Sequence, residues 1–217
     1  MRPGSDRARE RASMVQLQLI GRGVRDRRLL AAFSVVPREA FVDPAVADLA
    51  YDDSPLPIDE GQTISQPYVV ALMIEALGVR RGDLVLEVGA GSGYAAAVLS
   101  RLADRVYAIE RQPALAEAAR DRLHRLGYDN VEIRTGDGTL GLPDAGPFDA
   151  ILVSAGGPTI PQALIDQLAP GGRLVIPVGM PREQRLLRVA KSAGGRVHRE
   201  DLGQVSFVPL VGRAGWR

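Results

Sequence analysis

A chain of 217 residues, 46% hydrophobic and 24% charged, is long enough to bury one substantial core and has the balance of a globular protein. Its 27 Lys and Arg against 26 Asp and Glu leave no charge excess to recruit nucleic acid or an anionic membrane. With no cysteine, disulfides, thiolate metal sites and cysteine nucleophiles are excluded together. No apolar run approaches the roughly 18–20 residues of a membrane span, and no signal-peptide core follows the arginine-rich start. The expectation is a soluble, cytoplasmic protein.

Residues 1–12 are polar and carry Arg2, Arg7, Arg9 and Arg11, which reads as a frayed or disordered arm, with a helical extension as the alternative. Met14, Leu17, Ile20 and Val24 then recur at helical spacing. Gly21 and Gly23 interrupt the run, and Pro37 ends a second helix containing Leu29, Leu30 and Phe33. Asp52 to Gly61 is rich in Pro, Asp and Ser, but Tyr51, Leu56 and Ile58 anchor it as an ordered loop. Gln62-Thr63-Ile64-Ser65-Gln66-Pro67 leads into an apolar helix, Tyr68 to Leu77. Ser65 stands near the entrance of that helix, where a serine commonly caps free N–H groups.

Asp83 to Val88 reads as a parallel strand buried on both faces, and it breaks into Gly89, Gly91 and Gly93 before an alanine-rich run from Tyr94 to Leu102. Glycine at these positions permits positive φ and lets a ligand lie against bare main chain. Arg105 to Glu110 is a second strand, Pro113 to Gly127 a helix, and Asn130 to Arg134 a third strand running into Thr135-Gly136-Asp137-Gly138. A fourth strand, Phe148 to Ser154, precedes a helix from Pro161 to Leu168 and a fifth strand from Arg173 to Val178. Arg185 to Lys191 and Arg196 to Val211 read as two further strands around Ala193-Gly194-Gly195. This alternation implies a doubly wound, mostly parallel α/β sheet with an N-terminal helical extension and a C-terminal antiparallel hairpin.

Three features fall at the carboxyl ends of three consecutive strands: the glycine turn, Glu110, and Asp137-Gly138. That edge is where open α/β sheets bind ligands. An acid after the second strand suits the two hydroxyls of a ribose, and one after the third suits an adenine amine. Each has a plainer alternative: Glu110 as a surface acid, Asp137 as a turn former, Glu87 as a buried acid paired to an arginine. A dinucleotide oxidoreductase normally shows G-x-G-x-x-G, whereas the glycines here alternate, and Glu87 just ahead of them would repel a pyrophosphate. A carboxylate there favours a cationic ligand such as S-adenosylmethionine, with its sulfonium and ammonium. The nicotinamide reading stays as the rival from a different class.

Four blocks resemble the protein-L-isoaspartate O-methyltransferases. They are Arg22-Gly23-Val24-Arg25-Asp26 with Val36-Pro37-Arg38, Gly61 to Pro67, Leu86 to Tyr94, and Phe207-Val208-Pro209-Leu210. The glycine block is common to many methyltransferases; the blocks at Gln62–Pro67 and Phe207–Leu210 are far more specific. The resemblance implies methyl transfer from S-adenosylmethionine to an isoaspartyl carboxylate in a damaged protein, followed by closure of the ester to a succinimide. By matching position Ser65 is the family's active-site serine. Gln62, Thr63, Ile64 and Ser65 then line the donor with Glu87, Gly89, Gly91, Ser92, Gly93, Glu110 and Arg111, while Asp137 and Gly138 meet the adenine. Phe207, Val208, Pro209 and Leu210 help hold the substrate backbone. The implied organisation is one domain over residues 13–217: helices and active-site loop to residue 80, donor-binding core over 81–180, and C-terminal strands over 181–217. A monomer acting on isoaspartyl proteins and peptides is expected, with methylation of an aspartyl side chain in a peptide natural product as the nearest alternative.

What the chain lacks agrees with that chemistry. A carboxylate with its ordinary pKa of roughly 4 is already ionised at neutral pH, so the nucleophile needs no general base, metal or triad. His124 and His198 read as solvated. Catalysis then rests on holding the oxygen in line with the S–CH3 bond and on removing water from both charges. Ser65 is accordingly a hydrogen-bond donor to the acceptor rather than a covalent nucleophile, as no partner base stands near it in the sequence.

Overall fold

The computed structural model describes residues 3–217. Pro3–Ser13 forms helix α1, a helix where composition predicts a frayed arm; Met1 and Arg2 lie outside the described residues. Tertiary anchors explain the difference. Arg7 pairs with Glu10 one turn on (2.7 Å) and with Asp48, and Arg11 reaches the Tyr51 hydroxyl (3.2 Å) and Glu39 (3.8 Å). Asp48 and Tyr51 lie about 40 residues away along the chain, where local composition cannot report them.

The predicted break at Gly21 and Gly23 is present. A π-helical turn, Met14–Leu19, and a 3-10 turn, Ile20–Arg22, end at Gly23 in the left-handed region (φ 101°). Helix α2, Arg27–Val35, starts at an Asp26 cap whose carboxylate accepts from the N–H groups of Arg28 and Leu29. Two short strands, β1 (Leu56–Pro57) and β2 (Thr63–Ile64), pair antiparallel and hold the Asp52–Gly61 loop in order. Helix α3, Pro67–Leu77, begins with Pro67 in its first turn, where the missing N–H costs nothing. Its capping position is Gln66, and no side chain caps it, so Ser65 does not serve as an N-cap.

The remaining chain alternates β3 (Leu84–Val88), α4 (Tyr94–Ser100), β4 (Arg105–Glu110), α5 (Pro113–Arg125), β5 (Val131–Thr135), β6 (Phe148–Val153), α6 (Gln162–Asp166), β7 (Leu168–Met180), β8 (Glu183–Lys191) and β9 (Val197–Val205). The sheet order is β5-β4-β3-β6-β7-β8-β9, parallel from β5 to β7 and antiparallel over the last two strands. The strand order reverses between β4-β3 and β3-β6, which puts the ligand edge at the carboxyl end of β3. Side chains alternate along β3. Val85 joins the core beneath the N-terminal helices, and Leu86 and Val88 join the core around Phe148 and Leu164. Glu87 therefore points with Val85, toward α4 and the N-terminal extension. Tyr94 locks those layers together, its ring edge-on to Phe33 (6.1 Å) and Phe41 (5.5 Å), pairs that add about 0.5–1.5 kcal/mol each.

Two boundaries differ from the sequence expectation. Helix α6 ends at Asp166 because Leu168 already pairs with Phe148 in the sheet. Strand β9 ends at Val205, so Phe207–Leu210 is not part of the ladder. Phe207 gives its main-chain groups to a side chain instead, and Pro209 has no N–H to offer a neighbouring strand.

Candidate active site

The turn after β3 places Gly89, Gly91 and Gly93 all at positive φ (87°, 52° and 87°), which side chains resist. Its main-chain donors are already committed. The Gly89 and Ala90 N–H groups bond the Ile109 carbonyl (2.8 and 3.2 Å), and the Gly91 N–H bonds Glu110 Oε2 (2.8 Å). A turn whose N–H groups are spent on a carbonyl and a carboxylate offers a pyrophosphate little, which counts against the nicotinamide reading.

Around this turn three cavities open side by side, and Thr63 and Ser154 line all of them. The first, an open cleft, is walled by Gln62, Gly89, Gly91, Glu110, Arg111, Gly138 and the segment Val208–Val211. The second lies between Ser65, Gln66 and Val69 on one side and Ser206, Phe207 and Val208 on the other. The third reaches from Ile64 and Ser65 to Glu87, Ser92 and Tyr94. The β1–β2 hairpin carries Gln62, Thr63 and Ile64 across the glycine turn, with Ile58 packing close to Gly91.

Each acid has a distinct environment. Glu87 is 1% exposed; its Oε1 accepts from the Ser154 hydroxyl (3.3 Å), and its Oε2 has no partner. Among the described residues no arginine pairs with it, which removes the plainer reading of this residue. Burial pushes its pKa up to about 8, the Ser154 hydrogen bond opposes this, and the Glu110 charge adds to it. Glu110 accepts one N–H on each oxygen, from Gly91 and from Gln112 (2.9 Å), leaving each oxygen acceptor capacity toward the cavity.

Asp137 is more heavily engaged. Its Oδ1 accepts from the Thr139 N–H (3.0 Å) and hydroxyl (2.7 Å), and its Oδ2 from the Arg213 N–H (2.7 Å). Burial raises this carboxyl, but those hydrogen bonds outweigh it and hold the group below the usual carboxylate range. Gly138, rather than the Asp137 side chain, lines the first cavity, against Val88 where a Cβ would clash. The carboxylate instead clasps the C-terminal segment, whose Trp216 indole N–H also donates to the Gly156 carbonyl (3.0 Å).

Three contributors escape a reading of the sequence. Ser154 stands at the carboxyl end of β6, and the same sheet-edge rule that finds Glu110 would find it. Arg38 lies within a family block, but nothing in that block hints at its role. Gln184 has no local signal, since a glutamine in a strand looks like an exposed residue. It is 1% exposed, and its amide accepts the Phe207 N–H (2.7 Å) and donates to the Phe207 carbonyl (3.2 Å), as a neighbouring strand would. Gly156 makes room for that amide and bonds Val208 and Leu210 on either side of Pro209 (2.8 Å each). Gly156→Ala should expel the amide and loosen Phe207–Leu210, raising the peptide KM about tenfold, as expected for two lost hydrogen bonds, and weakening donor-product binding less, since only Val208–Leu210 of that segment wall the first cavity. Steady-state kinetics with calorimetry checks it; an unaltered KM in the folded variant contradicts it.

Comparison with known proteins converges on the same architecture. A family model described as protein-L-isoaspartate(D-aspartate) O-methyltransferase matches residues 9–215. A protein-L-isoaspartate O-methyltransferase of Methylorubrum extorquens is 61% identical over 98% of this chain and 93% of its own. One from Pelobacter propionicus is 57% identical over 95% and 92%. A solved protein-L-isoaspartate O-methyltransferase superposes with a TM-score of 0.85 at 32% identity, covering 94% of this chain and 67% of that one. A putative Plasmodium falciparum β-aspartate methyltransferase in complex with S-adenosyl-L-homocysteine gives 0.79 at 27% identity, covering 91% and 96%. With the family model spanning nearly the whole chain and relatives more than half identical along their lengths, the chain belongs to the protein-L-isoaspartate(D-aspartate) O-methyltransferase family.

Proposed function

We propose that this chain methylates the carboxylate of L-isoaspartyl residues in damaged proteins and peptides, using S-adenosylmethionine, and so starts their repair through a succinimide. The observation that carries the reading is that the cavities share a wall: Thr63 and Ser154 line the nucleotide cleft, the pocket at Glu87, and the pocket between Ser65 and Phe207. The residues fit the donor. A buried carboxylate oxygen with no partner, at Glu87, calls for a cation, and the donor's ammonium is one. Glu110 takes the ribose hydroxyls, Gly138 and Val88 flank the base, and Gln62, Thr63, Ile64, Gly89, Gly91, Ser92, Gly93 and Arg111 complete the cleft. When bound, S-adenosylmethionine supplies a methyl group activated by its sulfonium.

The chain's own work is placement and desolvation. The Ser65 hydroxyl donates to one oxygen of the ionised acceptor, and the other oxygen faces the cleft. Phe207, Val208, Pro209 and Leu210 hold the substrate main chain beside it. Because a carboxylic acid of ordinary pKa, roughly 4, is already ionised at neutral pH, no protein group has to take a proton from the acceptor. Displacing water from the pocket as the substrate binds strengthens each contact made there. The product ester then closes by attack of the following peptide nitrogen, releasing methanol.

We take the protein to act in the cytoplasm as a monomer, on polypeptides; the near balance of 27 basic and 26 acidic residues favours neither nucleic acid nor an anionic membrane as partner. Among the described residues no helix is long and apolar enough to cross a membrane. Mass spectrometry of an isoaspartyl peptide treated with enzyme and donor should show one added methyl, then loss of methanol as the succinimide forms. A stable methylated product with no methanol loss contradicts the repair chemistry.

A further inference from the structure

Arg38 is the largest fully buried side chain among the described residues, with 0% of its surface exposed. Among the described residues no carboxylate lies within ion-pair distance of it. Its Nε donates to the Ala50 carbonyl (2.8 Å), one terminal nitrogen donates to the Ser65 carbonyl (2.8 Å), and the other has no partner. The guanidinium also lies over the Tyr94 ring, 4.9 Å from its centre. A cation held out of water with no carboxylate in contact, Asp53 acting on it only at a distance, is a net cost to folding, so its position needs a reason other than stability.

The fork spans two distant pieces of chain. Ala50 follows the 3-10 turn Pro44–Leu49, and Ser65 joins β2 to α3 and lines both pockets beside the cleft. Fixing the Ser65 carbonyl fixes the plane of the Ser65–Gln66 peptide, and with it the position of the Ser65 Cα from which the side chain projects. No side chain caps α3, so this contact is the side-chain anchor of the helix entrance. The same guanidinium sits one peptide group behind the pocket that an anionic acceptor enters.

We infer that Arg38 is the positioning residue of the acceptor pocket: its guanidinium aims the Ser65 hydroxyl through the Ser65 main chain and lends the pocket a positive charge. This rests on the acceptor being the isoaspartyl carboxylate. Lysine keeps the charge, but one ammonium cannot extend a rigid fork to two diverging carbonyls. Charge and geometry therefore separate in two variants of the full chain, Arg38→Lys and Arg38→Met.

The experiment measures kcat and KM on an isoaspartyl peptide, with S-adenosylhomocysteine affinity by calorimetry. Arg38→Lys should lower kcat at least tenfold with KM within about threefold of the parent, as a misplacement near 1 Å costs on the order of a hundredfold in rate. Arg38→Met should lower kcat and raise KM together, and neither variant should change S-adenosylhomocysteine affinity more than about threefold, a shift well below that of a lost charged hydrogen bond. Parental kcat in Arg38→Lys overturns the proposal. So does a matching loss of S-adenosylhomocysteine affinity, which marks general loosening, or failure of both variants to fold, which makes Arg38 a structural residue only. A parent chain inert toward the isoaspartyl peptide overturns the acceptor reading itself, a result that the parent's own kinetics reveal before any variant is compared.

Discussion

Ser65→Ala should bind S-adenosylhomocysteine as the parent does and lose roughly a hundredfold in turnover on an isoaspartyl peptide, the usual scale for removing one positioned donor from an anionic reaction centre. The expectation follows from what the hydroxyl does not do. It does not cap α3, whose capping position is Gln66, and the contact that holds this residue in place is made by its carbonyl. The hydroxyl can therefore be removed without unseating the loop. Single-turnover kinetics at saturating donor, with calorimetry beside it, separates orientation from binding. Full turnover in the variant contradicts the role given to Ser65.

Glu87→Gln should weaken donor binding about 10- to 100-fold, the scale of a hydrogen bond to a charged group. It should also remove a pH dependence that the parent shows. In the free chain burial holds the Glu87 pKa at about 8, far above its value in an unfolded chain. Below pH 8 the folded chain keeps a proton that the donor's ammonium displaces on binding. Affinity should therefore rise with pH below 8, by up to about tenfold per unit, with one proton released per donor bound. The same shift makes the unliganded fold more stable at low pH. This contribution is fully present below the unfolded-state carboxyl pKa and is lost as pH rises through about 8. Calorimetry in buffers of different ionisation enthalpy counts the proton. An affinity flat from pH 6 to 8 in the parent, or unchanged in Glu87→Gln, contradicts the assignment.

The parts of the molecule legible in the sequence are those whose cause is local. Apolar runs, the Gly89–Gly93 turn and the helix-closing glycines predict the parallel sheet and its ligand edge, because each follows from backbone sterics or strand burial within about ten residues. Glu87, Glu110 and Gly138 could be placed for the same reason: they stand at strand ends. The rest depends on partners far along the chain. Helix α1 is held by Asp48, Glu39 and Tyr51, and Phe207 leaves the sheet because Gln184 offers it an amide. Asp137 looks like an adenine ligand in the sequence, but its carboxylate accepts three hydrogen bonds within the protein, one of them from the Arg213 N–H 76 residues away, and it is Gly138 that lines the cavity. A sequence shows that a side chain is polar; it does not show which main-chain group that side chain will meet.

In the proposed reading the glycine turn holds a cation-bearing nucleotide without selecting what is methylated, and that selection is assigned to the walls formed by Ser65 and the Phe207–Leu210 segment. The most direct test is methyl transfer from S-adenosylmethionine to one peptide synthesised in two forms, with an isoaspartyl or an aspartyl residue at the same position. The structure and family predict fast transfer to the isoaspartyl form and transfer to the aspartyl form lower by about a hundredfold or more, the discrimination a misplaced acceptor oxygen produces. Equal rates on the two peptides, or preference for the aspartyl form, would contradict the account.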